Sequence, residues 1–213
     1  VSAKPAPSVV LDPHRPSWSE LRRAAQRIRQ GEVIATPTDT LYGLAADPFQ
    51  ARAVERIFEI KRRPETHPIL LLIDSDAQLE AACEDPPELF HTLASEFWPG
   101  PLTMILRATE RVPDDVTAGT GTVAVRRPAA EIPRRLARLA GRPLTGTSAN
   151  VSGRPAARTA GEVRRQLGDE LPLILDGGRS PSTLPSTIID LTGRPRIIRP
   201  GVISETRLRR YLA

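Results

Sequence analysis

From Ser17 onward, apolar positions recur with two alternating periods. Leu21, Ala24, Ala25 and Ile28 share one helical face behind Ser17-Trp18-Ser19-Glu20, a capping-box pattern, and Gly31 stops the run. Glu32 to Thr36 reads as a strand that ends in Pro37-Thr38-Asp39-Thr40-Leu41-Tyr42-Gly43-Leu44, a polar turn inside apolar flanks. Ala53, Val54, Ile57, Phe58 and Ile60 predict a helix from about residue 50 to Lys61, and the apolar run 69–73 predicts a buried strand. Helices are expected over 76–83 and 88–97, ended by Trp98-Pro99-Gly100-Pro101, and a strand over 102–106. Residues 108–121 read as loop, 122–126 as an alternating strand, 131–140 as a basic helix and 143–147 as a short strand. A helix at 160–167 leads to a strand at 173–175. Residues 187–191 and 196–199 pair about Thr192-Gly193, and Pro200-Gly201 precedes a short last helix. Interleaved strands and helices closing on strand-turn-strand predict an α/β (α+β) fold with a mixed sheet. No long linker divides the chain, so 17–213 reads as one domain, with the Pro-rich, aperiodic residues 1–16 as an extended N-terminal arm.

Composition narrows this reading. With 213 residues, 39% hydrophobic and 4% aromatic, the core must be built from Val, Ile, Leu and Ala. Cys83 is the only cysteine, which excludes an intramolecular disulfide and a Cys-based metal cluster, and three histidines argue against a His-rich metal site. No apolar run reaches membrane-spanning length and no signal peptide is visible, so a cytoplasmic soluble protein is expected. A net charge of +5 suits anionic partners: nucleotides, pyrophosphate or nucleic acid. The P-loop, G-x-G-x-x-G and G-x-S-x-G signatures are all absent.

One count singles out Lys61-Arg62-Arg63-Pro64-Glu65-Thr66-His67-Pro68. Of 30 Lys plus Arg, only Lys4 and Lys61 are lysine. An ammonium is a compact point charge and a guanidinium a planar fork, so an internal Lys in an Arg-rich chain points to chemistry. A Lys that merely complements a helix C-terminus is the plain alternative. Lys61 with Arg63 can clamp phosphate oxygens; His67 is either a ligand contact or a simple loop residue. Three further polar stretches sit at element ends. Thr38, Asp39 and Thr40 suit a small ligand or a self-capped turn. Ser148 and Asn150, the latter the only Asn, suit phosphate or ribose, or else a tight turn. Ser186 follows a Ser/Pro loop, while Arg126 and Arg199 end their strands and can face anions.

Together these stretches resemble the YrdC family of threonylcarbamoyl-AMP synthases. The resemblance rests on Pro37 to Leu44, Lys61-Arg62-Arg63-Pro64 with Pro68, Thr122 to Pro128, Ser148-Ala149-Asn150 with Ser152-Gly153, Pro185-Ser186-Thr187 and Arg199-Pro200-Gly201, in that order over about 17–203. It implies a single-domain form: a twisted, open mixed sheet with flanking helices around a basic cavity. The implied reaction takes L-threonine, bicarbonate and ATP to threonylcarbamoyl-AMP and pyrophosphate, and a separate transferase complex then modifies tRNA. Under the resemblance Lys61 and Arg63 are catalytic, acting with Mg²⁺ on the phosphates. Thr122, Ser148, Asn150 and Arg199 join them on the ATP side, and Thr38, His67, Arg126 and Ser186 form the threonine side, with no resident metal. The competing expectations are a double-stranded RNA or tRNA binder, favoured by the charge, and a diverged paralogue without this activity.

Overall fold

The computed structural model describes residues 7–62 and 68–212, so Arg63 and His67 lie outside the described residues. The elements in order are β1 (Ser8–Val10), α1 (Trp18–Arg29), β2 (Ile34–Thr36), β3 (Gly43–Ala45), α2 (Ala51–Lys61), β4 (Leu71–Leu72), α3 (Asp76–Ala82), α4 (Glu88–Phe97), β5 (Leu102–Arg107) and α5 (Asp114–Thr117). There follow β6 (Thr122–Arg126), α6 (Glu131–Ala140), β7 (Leu144–Thr145), β8 (Thr147–Ser148), α7 (Ala160–Leu167), β9 (Ile174–Asp176), β10 (Thr187–Asp190), β11 (Arg196–Arg199) and α8 (Glu205–Arg209).

The expected mixed-sheet α/β architecture is present, with its strands divided between two sheets. One runs β1-β9-β2-β3-β8 and the other β11-β10-β5-β6-β4-β7. In the first, β1, β9 and β2 are parallel, and β3 and β8 are antiparallel to their neighbours. Its residues alternate between two cores. Ile34, Ala45, Leu173 and Leu175 pack with Leu21, Ile28, Ile132 and Leu136 of α1 and α6, while Ala35, Leu44 and Ile174 face the larger core with Val54, Ile57 and Met104. A sheet covered on both faces explains why its strands read as continuous apolar runs.

The two sheets meet where β7 passes into β8 through Gly146. A Cβ at Gly146 would lie 2.7 Å from Leu72 Cγ, so only glycine lets the chain cross there. Thr145 pairs with Leu71 in the second sheet, yet its Oγ1 accepts from Ala46 N at 2.9 Å and donates to Leu44 O at 2.9 Å in the first. One buried hydroxyl thus stitches the sheets together.

Several sequence expectations change in detail. Part of the N-terminal arm docks: Ser8–Val10 pairs with Ile174–Asp176, and Leu11 is buried. Its lack of periodicity concealed a three-residue edge strand. Ser17 precedes α1, but its hydroxyl meets Ser19 Oγ at 2.9 Å and caps no helix N–H, so the capping box does not form. Gly43–Ala45, read as the flank of a turn, pairs with β2 as a hairpin. Residues 108–121 contain α5, and the strand expected at 143–147 is two short strands on either side of Gly146.

Thr145→Val keeps shape but removes both hydrogen bonds and leaves Ala46 N unpaired. Urea unfolding is expected to show a loss of about 2 kcal/mol with an unchanged m-value.

Candidate active site

Lys61 ends α2, and Arg62 beyond it turns left-handed, with φ of 50°. The amphipathic helix buries Val54, Ile57 and Phe58, and this carries the Lys61 side chain inward until it is only 2% exposed. A buried ammonium must be solvated by protein dipoles. Lys61 Nζ donates to Ser148 O and, at 3.0 Å, to Asn150 O, with Asn150 Oδ1 3.5 Å away. Ser152 N returns a bond to Lys61 O at 2.8 Å. Lys61, Ser148 and Asn150, nominated separately from sequence, are therefore in direct contact. The Asn150 amide donates to Val151 O at 2.9 Å and Arg154 O at 2.7 Å, which closes the turn, while the Ser148 hydroxyl has no protein partner among the described residues.

β8 joins this turn to the 37–43 loop, because Ser148 pairs with Gly43. Thr38 Oγ1 donates to Leu41 O at 2.7 Å and accepts from Thr40 N at 3.1 Å. The hydroxyl nominated for ligand contact thus shapes the loop. Tyr42 is its anchor: its hydroxyl donates to Gly178 O at 2.6 Å, and burial, then the Asp176 carboxylate, raise its pKa far above the usual phenol range.

The loop presents Asp39 and Thr40 to Arg126, at the end of β6. Arg126 NH2 lies 2.5 Å from Asp39 Oδ1, NH1 donates to Thr40 Oγ1 at 2.8 Å, and Nε donates to Gly100 O at 3.0 Å. Arg199, at the end of β11, donates to Ser186 O at 3.0 Å, and Ser186 Oγ is 2.8 Å from Thr103 Oγ1. Gly201 permits this approach, since a Cβ there would meet Pro185 O at 2.4 Å. Arg199 is exposed as a residue, but packing around its guanidinium, followed by the Arg126 charge, lowers its pKa. Two arginines that repel each other, with Asp39 held by one of them, make a place that an anion would relieve.

Thr122 begins β6, with its hydroxyl 2.9 Å from Thr120 Oγ1, and four residue steps of extended chain, roughly 13 Å, separate it from Arg126 at the other end. Asp39 and Thr40, named with Thr38 as candidates for a small ligand, were left out of the ATP and threonine sets that the resemblance implies. Their signal was position, because they flank Thr38 in a turn between apolar segments. Cys83 carries no thiolate chemistry, as burial pushes its thiol up to about 12. Among the described residues no group of three or more His, Cys, Asp or Glu is placed to hold a metal ion, and no helix is long and apolar enough to cross a membrane.

Comparison with known proteins places this arrangement in context. The sequence profile of the Sua5/YciO/YrdC family, described as telomere recombination, matches residues 26–201. The chain belongs to that family. A Sua5/YciO/YrdC protein of Pyrococcus abyssi, named Threonylcarbamoyl-AMP synthase, is 44% identical over 183 residues, covering 85% of this chain and 54% of its own length. The protein of the same name from Pseudomonas fluorescens is 38% identical over 186 residues, covering 87% of this chain and 98% of its own. The crystal structure of P. abyssi Sua5 complexed with L-threonine superposes with a TM-score of 0.94 at 39% identity, covering 97% of this chain and 61% of that one. The chain spans about half the length of the P. abyssi and Bacillus subtilis relatives it matches.

Asp39→Ala leaves the Arg126 guanidinium buried without its carboxylate. A loss of roughly 3 kcal/mol in urea unfolding is expected, and a variant as stable as the parent would show that the pair is neutral to folding.

Proposed function

We propose that this protein makes threonylcarbamoyl-AMP and pyrophosphate from L-threonine, bicarbonate and ATP, in the cytoplasm, for transfer to tRNA by a separate complex. The observation that carries the reading is the likeness over most of the chain to proteins named for this product, one of which was crystallised with L-threonine. The residue chemistry supports it independently.

The threonine amine takes up bicarbonate as a carbamate, with loss of water. A carbamate oxygen then bonds to the α-phosphorus as the bond to the bridging oxygen breaks, and pyrophosphate departs with that electron pair. Nucleophile and electrophile are both anionic, so the protein must offset their repulsion and hold them in line. The Lys61 ammonium fixes the Ser148–Asn150 turn and sets a positive charge beneath it. The Ser148 hydroxyl and backbone N–H groups of that turn are the proposed phosphate contacts. Arg63, on the adjoining segment, is proposed to add a guanidinium fork to the leaving pyrophosphate.

Arg126 and Arg199 are proposed to receive the carboxylate and carbamate of the threonine half. Arg126 is oriented by Asp39, Thr40 and Gly100, and Arg199 by Ser186. Ser186 and Thr38 act here by shaping the pocket, and His67 is retained as a threonine contact. Arg199 serves the anion that Arg126 serves, because the two charges act on each other. Thr122, at the start of β6, is retained as an ATP contact. Magnesium enters as part of the nucleotide substrate, bound to its phosphates, in keeping with an ion that retains waters and takes few protein ligands.

Pyrophosphate release from ATP tests the reading. Release should require L-threonine and bicarbonate together, and omission of either should reduce it to background. Release from ATP alone would contradict the assignment.

A further inference from the structure

A groove of about 830 Å³ lies between α3 and α4, and no residue nominated for the reaction lines it. Its floor is apolar and aromatic. Leu79, Cys83 and Phe90 are buried there, and the Phe90 ring meets Trp98 edge-on at 5.4 Å and His91 at 5.2 Å. Its rim is acidic. Glu80, Glu84 and Asp85 are exposed, and among the described residues no ion pair or hydrogen bond engages their carboxylates. This runs against the chain as a whole, which carries a net charge of +5. The chain's own Arg127 closes one end of the groove. Its guanidinium lies 6.0 Å from the centroid of the Trp98 ring, and NH2 donates to Asp76 Oδ1 at 2.5 Å. A guanidinium held between a tryptophan face and a carboxylate is therefore a geometry that this surface supports.

We propose that this groove docks a short, extended basic segment of a protein partner, with arginine or lysine side chains at the acidic rim and apolar ones on the floor. The inference goes beyond the proposed reaction and does not depend on it. Charge complementarity selects the occupant. The unpaired carboxylates repel nucleic acid and acidic peptides, and an apolar floor offers nothing to a hydrated metal ion. Trp98, Phe90 and His91 add aromatic surface on which a cation or its apolar stem can lie. The length fits as well, because α4 rises roughly 12 Å from Phe90 to Trp98, the span of about four extended residues. Alternate side chains of such a segment point to opposite sides, so basic and apolar residues in alternation match rim and floor. The occupant would lie beside the proposed active site: Gly100 N donates to Arg127 O at 2.8 Å, and Gly100 O accepts from Arg126 Nε at 3.0 Å.

The probe is an N-acetylated, C-amidated hexapeptide of alternating arginine and leucine, and the reporter is the fluorescence of Trp98. Trp18 is the only other tryptophan, so a Trp18→Phe parent isolates that signal. The peptide should change the Trp98 emission saturably, and its binding should weaken as salt is raised. Glu80→Gln, Glu84→Gln and Asp85→Asn together should weaken binding about tenfold and leave the melting temperature unchanged. Ala94→Arg places a competing guanidinium in the groove and should weaken binding further. The same peptide with glutamate for arginine should not bind. No saturable change up to about 1 mM peptide, or equal affinity for the parent and the triple variant, would overturn the proposal. So would equal binding of the glutamate peptide, which would make the groove merely apolar. A dimer of the parent in sedimentation that the triple variant abolishes would also overturn it, by giving the groove to a second copy of the chain.

Discussion

The buried Lys61 ammonium organises the proposed site. The Lys61 ammonium is out of water, and the carbonyl oxygens of Ser148 and Asn150 are among the groups that solvate it. Left without those carbonyls the charge would cost several kcal/mol, so the turn and the end of α2 are fixed relative to each other. The coupling is mutual, since Ser152 N bonds back to Lys61 O. From that turn the order spreads through β8 to Gly43, through the 37–43 loop to Asp39 and Thr40, and from them to Arg126. The junction at Thr145 and Gly146 keeps the two sheets in the register this requires.

The positive charges differ in how firmly they are held. Arg126 donates hydrogen bonds to a hydroxyl and a carbonyl and sits in ion-pair contact with the Asp39 carboxylate. Arg199 is held by the carbonyl and hydroxyl oxygens of Ser186 and feels the Arg126 charge as repulsion. Such a field is preorganised for an anion, since charge entering there removes a repulsion and need not rearrange a salt bridge.

Much of this was legible in the sequence. Helices with a clear 3.6-residue face, such as α2 and α6, fall where periodicity puts them, because burial of one stripe fixes both their existence and their orientation. Short strands were harder. β1, β3, β7 and β8 have two or three residues each, too few for a period to register, and they pair only because distant segments meet them. In the site, the scarcity of Lys and Asn pointed to Lys61 and Asn150, and the structure brings them into contact. What residue identity cannot reveal is whether a polar group faces a ligand or the protein. The Thr38 hydroxyl is spent inside its own loop, while that of Ser180, in a stretch that looked like simple Ser/Pro loop, is not.

The central claim is that position 61 needs a compact ammonium and not merely a cation. A guanidinium is broader and planar and cannot point at both turn carbonyls from the same stem without moving the turn. The most direct measurement is pyrophosphate release by Lys61→Arg, with its fold checked by thermal unfolding. The account predicts a folded variant, melting a few degrees lower, whose rate falls about 100-fold, equivalent to roughly 3 kcal/mol of lost transition-state stabilisation. A Lys61→Arg protein releasing pyrophosphate at close to the parent rate would contradict it.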